Sequence, residues 1–264
     1  MSRRSTELNA NLTKGSANIA DVLHLLRLWD PDEETPSEFE HRAMEENLLG
    51  KTSRSRAGDV IRNVFGRRYF PDGCSHPAER LRRLVISELP RSVLDRLLYY
   101  HAALAERLLY RSATELVYDH RTRGVDVVRK ADVRRFLSTL EAEGAIPTSY
   151  SESVSDRLAK GVLAALRDFR VLIGKSRKRV APVQVPDEVV AYLAYALKEE
   201  GQSAKRIVEH EDWKLFLLHP REAEERIMDV SGLGHYEYRA AGDIRRFDWR
   251  YDSLDEYVEA IARA

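Results

Sequence analysis

Apolar residues recur along most of this chain at the three- and four-residue spacing of an α-helix. Ile19, Val22, Leu23, Leu26 and Trp29 set the pattern. They predict a helix from about 17 to 29, stopped at Asp30-Pro31 because the residue before a proline avoids the helical region. Thr35, Pro36 and Glu38 form a capping box with proline at the first helical position, opening a helix to about 47. Leu48-Leu49-Gly50 interrupts it, and Ser53 caps another running to about 68. Past the turn Pro71-Asp72-Gly73, helices are expected near 77–88, 91–110 and 112–120, the last opened by the box Ser112-x-x-Glu115. A helix near 131–143 ends at Gly144, and Ser153-x-x-Asp156 opens the next, to about 170. Val171-Leu172-Ile173, Gly174 and Arg179-Val180-Ala181 read as two short strands around a basic turn. Pro182 and Pro186 mark a boundary. Beyond it lie expected helices near 187–200, 204–218 and 221–230. A hairpin over 235–249 then turns at Ala241-Gly242, and Ser253-x-x-Glu256 caps a final helix.

Composition agrees with this pattern. With 264 residues, 43% hydrophobic, and only 13 Gly and 9 Pro, the chain lacks the turn content of a β-sandwich. The expected class is mainly α: a compact helical protein with two helix-turn-helix-like motifs and one or two short β-hairpins, winged-helix-like. Three regions are expected. Residues 1–125 carry the first motif (about 36–69), 126–183 the second with a basic wing, and 184–264 an acidic helical region with a hairpin. The single Cys74 excludes an internal disulfide and a four-thiolate zinc site. The longest apolar run, Val189 to Leu197, is far below the roughly 18 residues of a membrane span. Arg3 and Arg4 are followed by polar residues where a signal peptide needs its apolar segment, so a cytoplasmic protein is expected.

Net charge is zero, yet the charge is sorted along the chain. Residues 1–50 hold 5 Lys and Arg against 10 Asp and Glu, residues 51–182 hold 27 against 15, and residues 183–264 hold 11 against 18. A basic middle with a surplus of 12 between acid-rich ends points to a polyanionic partner.

Enzyme signatures are missing. There is no glycine-rich phosphate loop, and the eight histidines are dispersed with no HExxH spacing. Cys74-Ser75-His76 lacks a third group to orient it, and Gly232-Leu233-Gly234 is too short to cradle a phosphate. The pairs Glu199-Glu200 and Glu224-Glu225 read as solvated helix faces. No catalytic residue, metal or cofactor is expected.

Two basic constellations remain. Glu46 to Tyr69 reads helix, short turn, helix, the geometry of a helix-turn-helix whose second helix enters the major groove. At 100° per residue, Ala57, Val60, Ile61 and Val64 form the core face. Ser55, Arg56, Asp59, Arg62 and Asn63 lie opposite, with Lys51, Thr52 and Arg54 at the helix start and Arg67 and Arg68 at its end. Arginine reads guanine, asparagine reads adenine, and a helix start with Ser and Thr suits phosphate. In the second constellation, Val154, Leu158, Val162, Ala165 and Phe169 form the buried stripe, with Ser153, Arg157, Lys160 and Arg167 facing outward. Lys175, Arg177, Lys178 and Arg179 sit at the tip of the strand pair, like a wing resting on phosphates. Arg129, Lys130, Arg134 and Arg135 extend the patch or only solvate the preceding helix. Aromatics are sparse here (Phe65, Tyr69, Phe70, Phe169), which favours duplex DNA over single strands that stack on exposed rings. The competing reading is a helical adaptor whose basic middle docks on an acidic protein.

ENLLGKTSRSRA with the following RRY, SVSDRLAKGVLAALRDFRVLIGKSRKR, DWKLFLLHP at Asp212 to Pro220, and the late RRFDW resemble the BrxA family. BrxA is the small core protein of BREX (bacteriophage exclusion) defence systems. The resemblance implies a mainly helical, monomeric, double-stranded DNA-binding protein with two helix-turn-helix motifs bordered by positive charge. It implies other BREX proteins as partners, and a setting in a bacterial defence island beside a site-specific DNA methyltransferase and ATPases encoded by other genes. Members have been labelled inner-membrane proteins, which nothing in this sequence supports. Trp213, Phe216 and Leu217 are assigned to the core.

Overall fold

The computed structural model describes residues 8–146 and 149–263. Arg3 and Arg4 lie outside the described residues. Helices dominate. A 3₁₀ turn at Asn11–Thr13 precedes α1 (Ile19–Leu28) and α2 (Pro36–Glu45). Thr35 caps α2 through the expected reciprocal box, its hydroxyl accepting from the Glu38 N–H. Next comes α3, continuous over 54–69: α-helical at Arg54–Gly58, π-helical over Asp59–Gly66, and α-helical again at Arg67–Tyr69. Ser53 caps it as expected.

The next two helices are α4 (His76–Ile86) and α5 (Arg91–Ala105). The following helix, α6, spans 107–122 and holds a second π-helical segment at Ser112–Val117. Here the sequence reading is corrected. Ser112 and Glu115 do not open a helix; Ser112 is wholly buried within α6. The break falls six residues earlier, at Glu106, whose backbone is extended and whose carboxylate is buried against Arg68.

Strand β1 (Val127–Val128), α7 (Lys130–Ala142), α8 (Glu152–Asp168), β2 (Leu172–Ile173) and β3 (Lys178–Val180) follow. Helix α8 starts two residues earlier than the Ser153 box suggests: Ser151 is the cap, its hydroxyl accepting from the Val154 N–H at 3.4 Å. The three strands form an antiparallel sheet in the order β1-β3-β2. Helix, strand, helix, helix, strand, strand, with the last strand in the middle, is the connectivity of a winged helix, and the 174–177 turn is its wing. Strand β1 went unread because two residues carry no periodicity. Its only trace is the β-branched run Val125, Val127, Val128 after Gly124.

Helix α9 (Asp187–Glu199) buries every residue from Val189 to Leu197. The chain's longest apolar run is thus a core helix, hydrophobic all round because protein surrounds it. Among the described residues no helix is long and apolar enough to cross a membrane. The expected 204–218 helix is instead α10 (Ala204–Val208) and a 3₁₀ segment at Glu211–Phe216, folded back by Trp213 Nε1 donating to the Ile207 carbonyl at 2.7 Å. Helix α11 (Pro220–Val230), the hairpin β4 (Tyr236–Ala241) and β5 (Ile244–Trp249), and α12 (Leu254–Ala262) complete the chain. Ser253 caps α12. Trp213, Phe216 and Leu217 are buried as expected. One continuous apolar core runs from Leu8 to Ile261, so all three regions of the sequence reading share it.

Candidate functional site

Helix α8 buries Leu158, Val162, Ala165 and Leu166, which turns Ser153, Arg157, Lys160 and Arg167 outward. Across from it the wing turn holds Lys175 and Arg177, both exposed. Between them lies a cleft of about 530 Å³. Its lining includes Arg129, Lys130, Lys160, Arg167, Lys175, Arg177 and Lys178 over a floor of Val127, Val128, Leu163 and Ala164, with no carboxylate in the wall. Seven cations from four elements meet here. Arg129 and Lys130, which the sequence placed only at the margin, belong to it because β1 delivers them to the sheet edge beside the wing.

Lysine charges at the mouth are partly compensated. Lys130 Nζ and Lys160 Nζ both reach Asp156, at 2.6 and 2.9 Å, and these two ammonium groups hold its carboxyl down at about 2. Arg167 pairs with Asp168 at 2.5 Å. Among the described residues Arg157, Lys175, Arg177 and Arg179 make no ion pair.

Lys178 is a correction. The register pairs it with Val128 and puts it on the inner face of β3, while Arg179 points out. Only 9% of it is exposed, and its ammonium turns back onto the carbonyls of Gly174 and Lys175. Burial pushes its pKa below the usual lysine range. It shapes the wing from inside rather than presenting charge at its tip.

The first constellation folds as a helix, an eight-residue connection and α3. Thr52, Arg54, Ser55, Arg56, Arg62 and Arg67 are exposed. Lys51 is half-buried and pairs with Asp21 at 2.9 Å, and the Asn63 amide donates to Asp59 at 3.1 Å. Arg62 acts on the half-buried Glu40, holding down a carboxyl that burial pushes up.

Arg68 is the second correction. It is 1% exposed; Nε lies 3.3 Å from Glu106, and its other nitrogens donate to the carbonyls of Ser16 (2.6 Å) and Gly15 (3.3 Å). Arg68 follows Val64 by four residues, close to one turn of either helix type, so it lies on the core face of Ile61 and Val64. That phase was readable, and the basic run Arg67-Arg68 concealed it.

The two constellations share a support. The segment 8–18 wedges between them: a Cβ on Gly161 of α8 would sit 2.2 Å from the Leu12 carbonyl oxygen, and one on Gly15 would sit 2.6 Å from Val64 Cγ2 of α3. Three peptide units from Leu12 to Gly15 reach at most about 11 Å, so α3 and α8 stand within roughly 20 Å of each other here.

Elsewhere part of the surplus of the basic middle is neutralised by the acidic ends. Arg80 is buried against Asp255 (2.7 Å) and Glu199 (3.1 Å), Arg82 pairs with Asp30, Arg83 with Glu259 and Arg121 with Glu222. The acidic ends thus fold back onto one part of the middle, and Asp21 and Glu40 also meet Lys51 and Arg62, while among the described residues Arg54, Arg56 and Arg67 of α3 make no ion pair. Among the described residues no cluster of His, Cys, Asp or Glu could hold a metal ion.

The solved structure of "an uncharacterized protein from Magnetospirillum magneticum" is similar in fold, with a TM-score of 0.60 and 16% sequence identity over 80% of this chain and 98% of that one. No curated protein matches the sequence. The sequence profile of the BrxA family matches residues 6–196, which contain both constellations, the wing and most of α9. On that match the chain belongs to the BrxA family and is a BREX-associated phage-defence protein.

Proposed function

We propose that this protein is a non-enzymatic, double-stranded DNA-binding component of the BREX system, gripping the duplex with α8 and the wing and with the outer face of α3. The observation that carries the reading is the cleft whose wall holds six exposed cations and no carboxylate, set between the second helix and the wing of a winged-helix-like unit. Backbone phosphates are attracted by such a cleft at any sequence, while exposed Arg157 and Ser153 on α8, and Arg54, Arg56 and Arg62 on α3, stand where base edges or further phosphates would be met. The two helices lie within roughly 20 Å of each other, less than one turn of B-DNA at about 34 Å, a spacing compatible with one duplex meeting both.

The test is a titration of labelled duplex and single strand over a salt series. Six to ten phosphate contacts would lower affinity by roughly a thousandfold or more between 50 and 200 mM salt, with duplex preferred. Salt-independent binding, or none, overturns the reading. Co-purification with an acidic BREX subunit in the absence of DNA binding would establish the adaptor instead.

A further inference from the structure

Among the described residues Asp156 is the one carboxylate that pairs with the lysines at the mouth of the cleft. It bridges two of them from different elements: Lys130 Nζ at the start of α7 (2.6 Å) and Lys160 Nζ one turn further along α8 (2.9 Å). Both lysine side chains are about half exposed or more, 46% and 66%, so both remain reachable from solvent. Two ammonium groups chelating two oxygens on one atom is the arrangement they would offer a phosphate, whose non-bridging oxygens are similarly spaced. Such exposed pairs are individually weak and open readily. Among the described residues Arg157, Lys175 and Arg177 make no ion pair and Arg167 pairs only with the adjacent Asp168, so of the cleft's cations only Lys130 and Lys160 are bridged by one carboxylate.

We infer that Asp156 is an internal stand-in for a DNA phosphate: it holds Lys130 and Lys160 together in the free protein, and a backbone phosphate displaces it when the duplex enters. This rests on the DNA-binding reading above. Asp156 thereby limits non-selective attraction. A duplex that offers only charge must evict a carboxylate first, while one that also satisfies Arg157 and the wing offsets that eviction with further contacts.

The experiment uses the full chain with Asp156→Asn, and Asp156→Ser as a second variant, against labelled duplex of random sequence. Both should bind about three- to tenfold more tightly than wild type at 100 mM salt, with a salt dependence steeper by about one unit, since a released lysine adds close to 0.9 per phosphate contact. Asp156→Glu should stay near wild type. Lys130→Ala with Lys160→Ala in the Asn background should erase the gain, and circular dichroism confirms that each variant is folded. Folded variants that bind no more tightly than a DNA-binding wild type overturn the role of Asp156 alone. Absence of DNA binding by every variant and by wild type overturns both this and the reading beneath it.

Discussion

Replacing Arg68 by methionine separates a buried structural cation from its exposed neighbour Arg67. The guanidinium is enclosed with Glu106, whose side chain is 3% exposed, and it also satisfies the carbonyls of Gly15 and Ser16. Methionine fills much of the volume but leaves a buried carboxylate without its counter-ion. Breaking such a pair from one side costs about 3–5 kcal/mol. At about 2–4 °C per kcal/mol for a chain of this size, the melting temperature should fall by roughly 10 °C. Arg67→Met, one residue earlier and exposed, should change stability by less than about 0.5 kcal/mol and instead weaken duplex binding.

The loss should also depend on pH. Burial already raises the Glu106 carboxyl above its ordinary value, and Arg68 pulls it back down. A carboxyl with a raised folded-state pKa contributes fully below its unfolded value and loses that contribution as pH rises through the folded one. Without Arg68 the folded value climbs further, so Arg68→Met should be closer to wild type at pH 5 than at pH 8. Adding Glu106→Gln should recover part of the deficit at pH 8. Calorimetric unfolding at the two pH values, beside DNA titrations of both variants, is the assay. An Arg68→Met protein that melts within 2 °C of wild type yet loses as much DNA affinity as Arg67→Met would return Arg68 to the surface and refute the burial argument.

Three further outcomes are expected. Arg54→Glu with Arg56→Glu should weaken duplex binding at least tenfold in a gel-shift titration while leaving the melting temperature within about 2 °C, because neither side chain has an ion-pair partner among the described residues. Gly161→Ala should destabilise by about 1–3 kcal/mol in thermal or urea unfolding, since its methyl would press on the backbone oxygen of Leu12, which cannot swing aside as a side chain could. Arg80→Ala should cost about 1–3 kcal/mol and expose the α12 end first in hydrogen exchange, because Arg80 joins α4 to both Glu199 and Asp255, whose carboxylates remain partly solvated without it.

Helices were readable wherever an apolar stripe met a local cap: Thr35, Ser53 and Ser253 all cap as their sequences imply. What misled was local grammar without its tertiary partner. Ser112-x-x-Glu115 has the letters of a start signal, yet the chain bends at Glu106 because a carboxylate there meets Arg68, 38 residues away. Lys178 belongs to a basic run, but strand alternation, and hence its inward face, depends on a pairing with β1 that two residues could not announce. The charge surplus was plain as a sum and opaque as a map. Arg80 and Asp255 are 175 residues apart, and Arg83 and Glu259 are 176 apart, so nothing local distinguishes a cation tied to the acidic end from one left on the cleft. Asp156 was legible only as a cap; its lysine partner across the turn emerges once α7 and α8 pack.

The wedge of residues 8–18 between α3 and α8 carries a mechanical consequence. With a glycine locked against backbone on one side and another against a valine on the other, the two basic helices are pinned like the jaws of a fixed-gauge calliper. A duplex seated on both would have to supply the compliance itself, by bending or by offering a sequence that bends cheaply, so selectivity could arise at base pairs no side chain touches.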